Sequence, residues 1–187
     1  MIKNIVLEKT PNSITREIIE ACKQVVQNSE PFFVLKKNFS EGQINKCTYN
    51  VKNYLSKYGG ESILGWEVVI WRKVLIRLLG HAIVKSDNDL FCVTPTKYQN
   101  TKILFIKDPN LTFDFTNISS RMPTKIIPLN SSKMVRDFIE VENRIREIKI
   151  KYLVTSSNIL LQGDDAISMQ NLENEKQNLL NRLRNIY

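Results

Sequence analysis

Cys47 opens the stretch "CTYNVKNYLSKYGG" (47–60), and His81, in "RLLGHAIVKS", is the only histidine of the chain. A thiol at the first turn of a helix is favoured as a thiolate by orphan amides and the helix dipole. An imidazole near neutrality can accept the thiol proton and return it to a leaving group. Gln43, one short loop upstream, is placed to join the Cys47 amide in stabilising an oxyanion. Together these residues predict a thiol nucleophile with its base. The plainer alternative is Cys47 packed in a first helical turn and His81 hydrogen-bonded within a sheet. Separation along the chain does not decide between them.

Cys47, Val51, Tyr54, Leu55 and Tyr58 share one face at helical spacing, and Gly59–Gly60 can end the helix. Ile14, Ile18, Cys22, Val25 and Val26 predict an earlier helix over 13–28, with Cys22 as a small apolar filler, and "PFFVLKK" follows as a short strand. After Gly60 the pattern changes. "GWEVVIW", "KVLIRLLGHAIVKS", "DLFCVTP" and "KILFIKDP" are branched, aliphatic runs broken by Gly, Asp and Pro, which predicts an antiparallel meander. Strand alternation puts His81 on the face that also carries Arg77 and Lys85, and Gly80 leaves room for another segment to approach. Trp66 and Trp71 either pack the sheet or rim a substrate cleft. Residues 110–131 read as a connector or flap. Two helical stripes follow, Met134 to Tyr152 and Leu172 to Ile186, with "SSNILLQGDD" as a break. The boundaries are therefore 1–131 for the body and 132–187 for a helical hairpin or coiled-coil extension, the hairpin preferred because Lys176 interrupts the second stripe.

The succession of cysteine-led helix, Gly-Gly, "GW", "HAIV" and "VTP", over about residues 31–109, resembles papain-like and more particularly transglutaminase-like cysteine proteins. The resemblance implies an α+β fold: a papain-like or transglutaminase-like core with the cysteine-led helix packed on an antiparallel sheet, plus C-terminal helices. It implies a thiol-dependent hydrolase or acyl transferase acting on an amide or thioester through Cys47 and His81. An orienting acid would follow on the next strand, but Cys92 stands there in "FCVTP". A thiol is a poor substitute for that carboxylate. Asp89 is the nearest replacement, with Asp87 and Asn88 behind it; an unaided dyad or a lost activity are the other outcomes.

Composition bounds the partners. The chain has 187 residues, 42% of them hydrophobic, and a net charge of +8, of which +7 falls in 1–131 and +1 in 132–187. The basic body suits an acidic protein or peptide, as substrate or partner; nucleic acid is open but not favoured, because the lysines are dispersed without a basic block. No apolar run is long enough for a membrane span, and the N-terminus lacks a signal-peptide pattern. Three well-separated cysteines predict free thiols in a cytoplasmic setting. Zinc on Cys22, Cys47, Cys92 and His81 is chemically open but has no short ligand pair, so neither a metal nor a cofactor is expected. The competing reading is a noncatalytic interaction module with a basic body, whose C-terminal helices dock a partner or form a homodimer.

Overall fold

The computed structural model describes residues 8–96, 100–117, 120–152, 161 and 163–187. In chain order the elements are α1 (Arg16–Lys23), β1 (Phe32–Lys36), α2 (Cys47–Tyr58), β2 (Glu61–Trp71), β3 (Leu75–Ser86), β4 (Asp89–Cys92), β5 (Lys102–Lys107), β6 (Thr124–Pro128), α3 (Lys133–Tyr152) and α4 (Asp164–Ile186). The break expected at 156–165 falls largely outside the described residues. The chain forms two compact units. One takes in Met1–Trp71, Ile76–Thr116 and Ser120–Ile127; the other takes in Arg72–Leu75, Asn117–Ser119 and Pro128–Tyr187.

In the first unit five strands close into a barrel. β2 pairs antiparallel with β5, β5 antiparallel with β1, β1 parallel with β4, and β4 antiparallel with β3. β3 pairs back with β2 to complete the ring, and β6 adds to β3 outside it. Side-chain alternation then divides each strand between two buried surfaces. Val34, Ile83, Cys92, Ile103 and Phe105, with Ile63 packed against them, fill the interior, and every strand of the ring contributes. Ala82, Val84, Phe91 and Val93 point outward, where α2 covers them with Val51 and Tyr54.

This topology corrects the expected fold class and the family resemblance. A papain-like or transglutaminase-like core packs its cysteine helix on an open antiparallel sheet; here the sheet is a closed barrel with one parallel pairing. The meander also breaks, because β5 inserts between β1 and β2 instead of beside β4. β2 and β3, at 11 and 12 residues, are long enough to bend around and meet each other. The labels that came with the family, cysteine hydrolase and acyl transfer, lose their basis with it, so any chemistry at Cys47 has to stand on its own side chains. β6 lies inside the stretch expected to be a connector or flap.

In the second unit α3 buries Val135, Phe138, Val141 and Ile145, and α4 buries Met169, Leu172, Leu179 and Leu183. The two helices lie against each other and are bridged by ion pairs Glu142–Lys176, Lys149–Glu173 and Lys151–Asp165. Lys176 is tolerated within an apolar stripe because Glu142 on the facing helix takes its charge. Among the described residues no helix is long and apolar enough to cross a membrane.

A candidate thiol site at the barrel end

β1 and β4 finish, and β5 begins, at one end of the barrel, where a cavity of about 510 Å³ opens. Cys47, Glu67, His81, Lys36, Thr94 and Asn100 are among its polar lining residues. Val69, Leu79, Met122 and Pro123 supply much of the apolar wall. Gly80 lets the 122–123 segment pass: a Cβ there would lie 2.9 Å from Met122 Cβ and from Pro123 Cδ. The Gly80 N–H donates to the Pro123 carbonyl at 2.7 Å, fixing that wall.

The start of α2 is held by a residue outside the sequence expectation. Asn50, fully buried, accepts the Gln43 N–H at 2.8 Å and donates to the Gln43 carbonyl at 2.7 Å. The same amide donates to Thr94 Oγ1 at 3.2 Å, so one side chain joins the loop, the helix and the end of β4. Asn45 reverses the chain at φ +62°, and Lys46 at the helix N-cap makes no side-chain capping bond. Cys47, half-buried, stands at this free helix end and lines the cavity.

His81 is the centre of the arrangement. Its alternation phase turns it to the barrel interior, where it is 6% exposed and meets the edge of Phe105. Nε2 lies 3.3 Å from Cys92 Sγ, and Nδ1 lies 3.5 Å from Glu67 Oε2. Cys47 lines the same cavity as the ring. Burial pulls the imidazole toward its neutral form, but the hydrogen bonds with Cys47 and Cys92 and the charge of Glu67 outweigh it and hold His81 well above its usual range. Burial likewise pushes the Cys47 thiol up, and the His81 hydrogen bond and charge, with the two backbone donors, bring it below its ordinary value. Both shifts run toward the charged forms, thiolate for Cys47 and imidazolium for His81. Cys22 is a contrast, since burial alone pushes its thiol up to about 12.

The structure thus brings Cys47 and His81 together, and it brings in Glu67 and Cys92. Gln43 is exposed and does not line the cavity, its backbone being taken by Asn50. Asp89 is exposed at the outer end of β4, opposite Ser86, and also lies off the cavity. Trp66 and Trp71 are 3% and 5% exposed and line no part of it; Trp66 donates to Asp108 at 2.9 Å. The signal for Glu67 was present in "ESILGWEVVIW". It is the carboxylate within an apolar strand, in phase with Ile63, on the face that the barrel turns inward.

All three cysteines are free, and among the described residues no group of three or more His, Cys, Asp or Glu side chains is arranged to hold a metal. No family model matches the chain, and no curated protein or solved structure matches it either.

Proposed function

We propose that the chain is a noncatalytic interaction module that works in the cytoplasm, with a basic barrel body facing an acidic partner and its C-terminal helices forming a self-association surface. One observation carries this reading. After α3 and α4 have buried their facing stripes, Ile150, Ile167 and Ile186 remain 58%, 64% and 59% exposed. Ile150 and Ile167 sit at the same end of the helix pair, beside the Lys151–Asp165 bridge, and a second copy would remove them from water. Burying an isoleucine side chain is worth about 1.5–3 kcal/mol. Light scattering of the full chain across a concentration series tests this: mass should rise above the monomer in the native protein and stay monomeric in Ile150→Lys/Ile167→Lys. Equal monomeric masses for both at every concentration would remove the interface.

A second reading rests on the Cys47–His81–Glu67 line alone. Cys47 would attack an amide or thioester carbonyl, His81 would pass the proton to the leaving group, and water or an amine would release the acyl group. Glu67, rather than Asp89, would orient the imidazole. An activated acyl ester supplies the probe. Under this reading Cys47 is acylated in a stoichiometric burst that Cys47→Ser abolishes; acylation spread over surface lysines with no burst defeats it.

A further inference from the structure

The barrel interior changes character along its axis. Val34, Ile83 and Cys92, with Ile63 against them, belong to the packed apolar layer. Nearer the cavity, on the same inward phase of each strand, stand Lys36, His81, Thr94 just past β4, and Glu67. Val69 and Leu79 come next on β2 and β3 and are half-buried in the cavity wall. β5 pairs with 65–68 of β2 and β4 with 84–86 of β3, so the ends carrying Val69 and Leu79 run on past them.

Most charges in this wall are already answered. Glu67 faces His81 at 3.5 Å, and Arg77 forks onto Glu8 at 2.8 and 2.7 Å. Lys36 is different. Its Nζ donates to the Thr94 carbonyl at 2.9 Å, and among the described residues no carboxylate pairs with it. An ammonium carries three protons, so two are left for a ligand. Lys9, also in the lining, adds positive charge and likewise has no carboxylate partner among the described residues.

We propose that the cavity binds a small amphipathic carboxylate, its two oxygens on the Lys36 ammonium and its hydrocarbon part along Val69, Leu79 and Met122. The volume of about 510 Å³ falls within the span of small-molecule sites, roughly 300–1,000 Å³. One ammonium beside two paired carboxylates suits a monoanion, whereas a phosphate dianion would find too few donors. Binding of this kind requires neither self-association nor a reactive thiol.

Calorimetric titration of the full chain with octanoate tests the site, with octanol and octylamine keeping the hydrocarbon and changing the head. One octanoate should bind per chain, octanol about tenfold more weakly, and octylamine not at all. Lys36→Gln should weaken octanoate about tenfold and leave octanol unchanged. Lys102→Gln, which removes an ammonium seated over the Phe33 ring outside the cavity, should bind octanoate as the native chain does. Methyl signals of Val69, Leu79 and Met122 should shift on binding, while those of Ile150 and Ile167 stay in place. Equal affinity for octanoate and octanol, or equal weakening by the two lysine variants, overturns the carboxylate contact. Octanoate that does not saturate, or shifts confined to Ile150 and Ile167, overturns the site.

Discussion

At the scale of single residues, the lowered Cys47 and the raised His81 make a directional statement about pH. A thiol with its ordinary value of 9.0 loses alkylation rate steadily below that pH; Cys47, held lower, should keep reacting with iodoacetamide further into the neutral range. Glu67→Gln removes the negative charge facing Nδ1, weakens the imidazolium, and should move the half-point of the Cys47 profile up toward that of an ordinary thiol. An unmoved profile would mean that Glu67 does not act through His81. Stability follows the same groups. His81 is raised in the folded state, so its contribution is full below about pH 6.5, its unfolded value, and fades as pH rises through the folded value. The excess stability of the native protein over His81→Asn, read by urea titration, should therefore shrink as pH increases; an excess that grows would reverse the sign. Cys47 and His81 were legible in the sequence because their residue types are rare and their local settings distinct. Glu67 stood out only as a carboxylate in an apolar strand, and its place beside His81 depends on which strand closes on which.

At the scale of elements, the strands could be read from their branched residues, but their order could not. A strand buried on both faces, outward under a helix and inward in a barrel, gives a continuous apolar run whether the sheet is open or closed. β5 carries "ILFI", which fits a position beside β4 as well as one between β1 and β2; only the long-range pairing of Trp66 with Ile106 fixes it. The close passage at Gly80 is one place where an element's position hangs on one residue. Gly80→Ala places a methyl 2.9 Å from Pro123 and should cost about 1–3 kcal/mol in urea unfolding. A loss below about 0.5 kcal/mol, within the range of neutral surface changes, would show that the segment before β6 yields freely. The helix pair offers a second case. Glu142 and Lys176 keep side-chain exposures of only 10% and 26%, so Glu142→Ala leaves a lysine charge in an apolar seam and should cost about 1–2 kcal/mol. Replacing both by leucine should recover most of that loss. A double variant as weak as the single one would place the cost in helix packing rather than in the stranded charge.

At the scale of the whole molecule, two forces act on association with opposite dependence on salt. A chain of charge +8 repels its own copies, while the proposed apolar contact through Ile150 and Ile167 would draw them together. Added salt screens the repulsion, with a Debye length falling from about 10 Å at 0.1 M to about 3 Å at 1 M, and leaves the apolar term intact. Self-association through the C-terminal helices should therefore strengthen between 0.05 and 0.5 M sodium chloride, taken as rough working limits for the Debye range. Capture of an acidic partner by the basic body depends on the charges that salt screens, so it should weaken over the same range. Sedimentation of the full chain, alone and with polyglutamate as an acidic probe, reads both in one series. A mass that rises with salt in the native protein but not in Ile150→Lys/Ile167→Lys assigns the contact to the helices. A self-association that salt dissolves would instead be an ion-pair contact, and the exposed isoleucines would have no part in it.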